Sequence, residues 1–459
     1  MQRRQAGRIA GVAALLAVLW PSPAAFAAQP RFSAPQLRQD LAALGAAIRD
    51  THPYPAHSID TAALARALDA LERQLDRPMT RDEAWAVFAT LNPLLADGHL
   101  FVGFEDWRGA TEAHLESGGV LFPFELHVTP DLRVFVRSQL GGAASVYAGT
   151  RVRSINGVDA GVVSRTLLAL VHGDTATFRA DLLSRRWWFY YWKTYGAVAE
   201  FEVALDDPTR TSLHVPGSRH RPAILVAEAS FDRQFGFASL PCDTALLTLR
   251  TFSWPDKAQF LRFTRDAFSK IRDDRVRRLI IDVRDNGGGD DDFWMHGILP
   301  YIATGPYRWG STYRKRVLEA YRDEGETTGQ VVTGAIDRWI PSEPMNPLHF
   351  PGTVYVLIGP ATYSSAVLFA NVMRDFGFGV LAGSGGSVRA DQSGSVQQRI
   401  LPNTGLVVWS PRFVLYRPSG ASEPMLLEPD YPIEEDPFNA GAAVNRLLGR
   451  ITGGACNAR

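Results

Sequence analysis

Apolar residues along the first hundred positions recur at helical spacing. Leu37, Leu41, Leu44 and Ile48 follow Ser33-Ala34-Pro35 at intervals of three and four, which predicts a helix opening at Ser33. The same periodicity predicts helices over Ala62–Leu75 and over Arg81–Leu95, the latter with Thr80 as N-cap. From about residue 117 the pattern becomes strand-like. Val120–Val128 and Arg133–Val136 alternate, and Gly149–Gly157 reads as a strand entering an Asn-Gly hairpin turn. A helix over Val163–Leu170 and further strands to about 215 complete a small β-rich module. Beyond it, strand and helix take turns. Strands are expected at Ala245–Leu249, Arg278–Val283 and Val354–Ile358, and helices at Lys257–Ile271, near Phe293 and over Ser364–Phe376. Strand–turn–helix units of this kind build an α/β layered core and place polar chemistry at the strand-to-helix turns. A short helix and a glycine-rich end follow Asn439.

Composition adds exclusions. The chain has 459 residues, with 48 Lys+Arg balanced by 48 Asp+Glu, so it carries no overall field that would favour nucleic acid or an anionic membrane. Its two cysteines, Cys242 and Cys456, are too few for a disulfide scaffold or a four-thiolate metal site. No cofactor or metal is expected. Only four of the basic residues are lysines, and none follows Lys315. At the N-terminus, Arg3, Arg4 and Arg8 precede an apolar run, Ile9–Trp20, and Ala25-Phe26-Ala27 supplies small residues for signal peptidase. The run is too short to span a bilayer. Cleavage after Ala27 and a periplasmic or secreted location, without a stable membrane span, are expected.

Three segments concentrate chemistry. Asp285-Asn286-Gly287-Gly288-Gly289 follows a buried strand, and its glycines allow backbone N–H groups to converge on an oxyanion; the plainer reading is a tight turn. Thr362-Tyr363-Ser364-Ser365-Ala366 sets two serines where a strand turns into a helix, which suits either a rigid nucleophile or an N-cap. Asp97-Gly98-His99 follows a helix end, and its histidine is expected to titrate near neutrality, as a base or as an ordinary surface residue. Two other features have plainer readings. The aromatic run Trp187–Trp192 is read as packing rather than a stacking surface, and Asp290-Asp291-Asp292 as complementing a helix dipole rather than holding a cation.

Taken in order, these motifs resemble the tail-specific (C-terminal processing) proteases and the tricorn core protease. Asp282-Val283-Arg284-Asp285-Asn286-Gly287-Gly288-Gly289 and Thr362–Ala366 carry the resemblance, joined by His52-Pro53-Tyr54, Asp97-Gly98-His99, Leu401–Leu406 and Glu428-Pro429-Asp430. It runs from about residue 37 to 436.

The resemblance implies a crotonase/ClpP-like layered α/β protease core with an N-terminal helical segment and a PDZ-like or other β-rich module. Expected boundaries are a signal peptide at 1–27, a helical domain at 28–112, the β-rich module at 113–218, the core at 219–440 and a tail at 441–459. The family frame places the nucleophile at Ser364, with Ser365 the alternative, and puts Val367 where the frame has glutamate. Tail-specific proteases carry a lysine base 25 residues after the nucleophile. Here that position is Arg389, and an arginine stays protonated and cannot act as a base. The tricorn-like arrangement then points to His99 as base. Its orienting carboxylate falls at Glu423, six residues before Pro429, or at Glu428. Gly288 and Ser365 N–H groups would hold the oxyanion. Gly288 is preferred to Gly287 because many relatives have proline at the latter position. The implied activity is cleavage of peptide or protein substrates through an acyl-enzyme. The alternatives are an inactive exported binding protein on the same fold and an esterase for small substrates. Nothing in the sequence sets the oligomeric state.

Overall fold

The computed structural model describes residues 30–208 and 211–454. The expected signal peptide and Cys456 lie outside the described residues; Cys242 is disulfide-bonded. No helix among the described residues is long and apolar enough to cross a membrane.

The apolar stripe that begins at Leu37 becomes the helix Ala34–Thr51, with Leu37, Leu41, Leu44 and Ile48 all buried and Ser33 forming a capping box with Gln36. The second helix is Thr61–Gln74, capped by Asp60. The third starts after Thr80 through a capping box with Glu83, but it stops at Phe88. A 3₁₀ turn, Ala89–Leu91, and a four-residue helical turn, Asn92–Leu95, complete the expected span. Pro93 explains the break, since its ring crowds the preceding turn and it has no N–H to donate.

The β-rich module is an antiparallel sheet in the order Phe124–Val128, Val134–Gln139, Arg151–Ile155, Glu200–Leu205, Ser212–Pro216. Asn156 and Gly157, both at positive φ, make the expected hairpin turn into Val158–Asp159. Two helices pack with it, Ala160–Leu168 and Ala176–Tyr195. The second of these lies where only strands were expected. Its aromatic residues hide the helical period, because Trp187, Trp188, Phe189, Tyr190 and Tyr191 are all buried and no polar face interrupts them. Packing is therefore their role.

The core sheet has six strands in the order Phe235–Leu240, Thr244–Leu249, Arg278–Asp282, Thr353–Ile358, Val380–Gly383, Tyr431–Pro432. The first pair is antiparallel and the rest are parallel. Helix Lys257–Asp273 joins the second strand to the third, and helix Ser365–Asp375 joins the fourth to the fifth. The Asp285–Gly289 turn and the Ser364 turn therefore leave the carboxyl ends of adjacent parallel strands, the place where layered α/β sheets gather their chemistry.

A second, antiparallel sheet sits against this core in the order Val331–Ala335, Thr312–Arg316, Val407–Leu415, Gln392–Ile400. The N-terminal segment adds a strand to it. Phe101–Gly103 pairs with Val407–Trp409, so the residues just after His99 are built into the core sheet system. A second tie holds the first helix. Buried Asp40 accepts from the Asn403 N–H and side-chain amide through Oδ1, each at 2.9 Å, and from the Thr404 N–H and hydroxyl through Oδ2 at 2.9 and 2.6 Å. Asp40→Ala strands these donors, and buried donors left unpaired cost about 1–3 kcal/mol each before relaxation. The variant is expected to lose about 3 kcal/mol or more, read as a lower denaturant midpoint.

Candidate active site

Ser364 is the N-cap of helix Ser365–Asp375 and holds φ 54°, ψ −126°. This is a sharp, unfavourable turn for a residue with a Cβ, and it resembles the strand-to-helix elbow that presents a nucleophile. Its N–H donates to Gln392 Oε1 at 3.0 Å. Gly288, at φ 99°, packs against the elbow so closely that a Cβ there would lie 2.7 Å from Ser364 Cβ and 2.9 Å from the Ser365 nitrogen. Only glycine fits, for both conformational and steric reasons.

Ser365 is placed differently. It is buried, its hydroxyl donates to Asp291 Oδ1 at 2.5 Å, and it accepts from Trp294 Nε1–H at 3.0 Å. That hydroxyl is committed to the fold, and the acidic run has the same kind of use. Asp291 binds Ser365 and Asp292 pairs with Lys257 at 2.5 Å.

His99 is half-buried beside the elbow, its ring 4.8 Å from that of Tyr363. Its Nδ1 lies 3.0 Å from Ser393 Oγ, and Ser393 Oγ donates to Asp97 Oδ1 at 2.9 Å. Asp97 is buried and also accepts the His99 N–H at 2.7 Å. Burial opposes its charge, but the facing His99 and His52, the His99 N–H and the Ser393 hydroxyl hold its carboxyl below the ordinary value. An ionised Asp97 fixes the proton order. Ser393 gives its single proton to Asp97, so its lone pair takes Nδ1–H from His99, and Nε2 is left unprotonated. Burial, only partly offset by Asp97 and Ser393, pushes the His99 pKa below 6.5, so the ring titrates below the neutral range expected from sequence. Among the described residues, no hydrogen bond joins the imidazole to the Ser364 hydroxyl. The two are neighbours through Tyr363 and through Gln392-Ser393.

Three features around this pair complete the geometry. Tyr363 Oη accepts the Gly98 N–H at 2.9 Å and lies 3.0 Å from Asp174 Oδ1 and 3.3 Å from Asp97 Oδ1. A Cβ on Gly98 would fall 2.6 Å from the Tyr363 ring, so the glycine of Asp97-Gly98-His99 is a matter of close approach. Asp174, raised to about 6 by burial and by Asp97, accepts the Arg389 N–H at 2.9 Å. Arg389 occupies the position of the usual lysine as a tie rather than a base, with its guanidinium 2.5 Å from the Ala96 carbonyl and 3.7 Å from Asp174.

Two expectations are corrected. Glu423 is exposed and its carboxylate accepts the Met425 N–H at 3.1 Å, so the structure does not bring it to His99; exposed Glu428 makes no such contact either. The partner of His99 is Ser393, which sequence reading missed because a serine inside a strand carries no motif. The Gly288 N–H donates to Asn286 Oδ1 at 2.9 Å, an Asx turn that occupies the donor assigned to the oxyanion. The Ser365 N–H, at the first position of its helix, and the cleft-lining Gly287 N–H have no acceptor among the described residues.

His99, Tyr363 and Gly287–Gly289 line one large cleft of about 1420 Å³, whose other walls come from the β-rich module and from helix Ala176–Tyr195. Asp285 of the glycine turn is anchored there by Arg185, at 2.7 Å, and by Arg250, which hold its carboxyl far below the ordinary range despite burial.

Residues 243–433 match the model of peptidase family S41. The matched segment spans the parallel part of the core sheet, so the chain has an S41-type core. It is a serine-type peptidase, and its substrates are peptides or proteins. The chain is also similar in fold to mature CPAF complexed with lactacystin, at 15% identity and TM-score 0.63 over 91% of this chain and 97% of that one. It is similar to mature CPAF alone at 14% identity and TM-score 0.62, over 92% and 97%. The sequence matches no curated protein.

The elbow predicts a contrast between neighbouring glycines. Gly288→Ala must displace backbone and is expected to cost about 2 kcal/mol or more, whereas Gly287→Ala meets nothing within 4 Å and is expected to stay within about 0.5 kcal/mol of wild type. Thermal or chemical unfolding of the two variants checks this.

Proposed function

We propose that the protein is an exported serine peptidase in which Ser364 is the nucleophile and His99 the general base. The observation that carries this reading is the hydrogen-bonded line His99–Ser393–Asp97, which leaves Nε2 as the ring's acceptor beside the Ser364 elbow. Ser364 Oγ attacks the scissile carbonyl carbon while His99 Nε2 takes its proton, and the imidazolium that forms is stabilised through Ser393 by Asp97. The Ser365 N–H and the Gly287 N–H, two donors of these turns left without an acceptor among the described residues, stabilise the tetrahedral oxyanion. The proton on Nε2 then passes to the leaving amine, and water attacking the acyl-enzyme reverses the sequence. Ser393 and Asp97 are positioning residues here, in the place the family frame gave to Glu423. Export rests on the basic, apolar and small-residue pattern of residues 3–27.

A fluorophosphonate probe tests the nucleophile. Labelling is expected to vanish in Ser364→Ala and His99→Ala and to persist in Ser365→Ala; loss confined to Ser365→Ala moves the nucleophile by one residue. The orienting line is tested by kinetics on a cleaved peptide. Asp97→Asn is expected to lower kcat by about 10²–10⁴, as for other histidine bases deprived of their orienting carboxylate, while Glu423→Gln leaves it near wild type. A large loss in Glu423→Gln and none in Asp97→Asn overturns the assignment.

The pH profile gives a further check. The active base is neutral His99, so kcat/KM falls as acid protonates it, and because its pKa is lowered the acid limb should have its midpoint below 6.5. Asp97 raises the His99 pKa, so in Asp97→Asn the residual activity should show that midpoint moved to still lower pH.

A further inference from the structure

The cleft wall formed by helix Ala176–Tyr195 holds a guanidinium without an anion. Helical geometry breaks at Arg186, which has φ −135° and ψ 24° although no proline or glycine is nearby. Its Cζ stacks 4.4 Å over the Trp107 ring. Its Nε is closed off from solvent and has no acceptor, and among the described residues nothing takes a hydrogen bond from any part of the group. Arg186 nonetheless lines the cleft shared with His99. His172 connects the two, since it lies within electrostatic reach of both and stacks on Phe101 at 3.8 Å.

Glu228, the carboxylate within electrostatic reach of Arg186, and three other acids of the cleft are already used. Glu228 is held in a fork by Arg108 at 2.7 and 2.8 Å, Asp181 and Asp285 are held by Arg185, and Glu125 accepts the N–H groups of Gly141 and Ala223. A half-buried guanidinium stacked on an indole, with its carboxylate neighbour Glu228 committed to Arg108, is prepared for a planar anion from outside, because a two-oxygen acceptor matches its donor fork. We propose that Arg186 and Trp107 form a substrate subsite that takes a peptide carboxylate, so that the enzyme selects peptides by that anion. The proposal rests on the peptidase reading of the cleft. The carboxylate has two possible sources, an Asp or Glu side chain and a chain terminus, and they are separable by experiment.

The test uses the full-length mature protein carrying Ser364→Ala, which leaves bound peptides uncut. Calorimetry measures its affinity for Ala/Gly decapeptides carrying one Glu or one Gln at each position in turn, each with a free or an amidated C-terminus. The expected result is a Glu-over-Gln or acid-over-amide preference of about tenfold or more at one location, collapsing toward unity in Ser364→Ala/Arg186→Met. In Ser364→Ala/Arg186→Lys, which keeps the charge and loses the fork, the preference should fall to an intermediate value. A preference for Glu identifies a side-chain subsite, and one for the free terminus identifies an end anchor. Equal binding of acid and amide peptides, no binding of either, or a preference that survives Arg186→Met overturns the subsite. If the methionine variant fails to fold, the lysine variant decides, and an unchanged ratio there overturns the fork recognition. Wild type that labels with fluorophosphonate yet shows no carboxylate preference leaves the peptidase reading standing, whereas wild type that never labels defeats that reading first.

Discussion

Burying the Asp97 carboxylate is the constraint around which the rest of the site is arranged. A lone buried carboxylate costs several kcal/mol, and it persists only if donors surround it. Its donors come from separate stretches of chain. One is the His99 N–H of its own loop, one is the Ser393 hydroxyl of the strand Gln392–Ile400, and the Tyr363 hydroxyl stands at the elbow. If any of these moves away, charge is left unpaired in a poor dielectric, so the most stable arrangement is the one that brings the loop, the strand and the elbow together. The site is thus assembled by the same free energy that keeps the carboxylate ionised.

The docking of the N-terminal segment makes that assembly possible. The strand Phe101–Gly103 is hydrogen-bonded into the sheet that contains Val407–Leu415, and Asp40 binds the Asn403-Thr404 turn of the same sheet. The base we propose, delivered from outside the core, needs such anchoring, because a misplacement of about 1 Å is enough to cost much of the rate. A lysine on the core's own chain would need no such partner. With Arg389 in that position the cation serves instead as a strut between the Ala96 carbonyl and Asp174, which bears on the loop that carries His99.

Much of this was legible in the sequence where a local rule controls the outcome. Buried parallel strands read as short apolar runs, Thr80 and Glu83 announced a helix start, and the glycines beside Asp285 announced a turn in which backbone groups come close. Pairings between distant segments were not legible. Ser393 lies 294 residues from its His99 partner, and nothing about a serine in a nine-residue strand distinguishes it. The misplacement of the carboxylate at Glu423 has the same origin, since an offset counted along the chain assumes loops of fixed length, whereas the fold puts Asp97, two positions before His99, in line with its ring through Ser393. The helix Ala176–Tyr195 escaped because a helix buried on most sides loses the amphipathic signal by which helices are recognised.

That same buried helix links stability to recognition. Its aromatic face is held by Trp85, Phe104 and Trp107, with ring centroids between 5.7 and 6.4 Å from Tyr190, Phe189 and Trp188. Its polar positions, Asp181 and Arg185, reach across to Asp285 beside the glycine turn. One element therefore packs the N-terminal segment, supports the β-rich module and fixes the charged wall of the cleft. Arg186 interrupts the helix between these two sets of contacts, with residues committed to packing on one side and to the Asp285 network on the other.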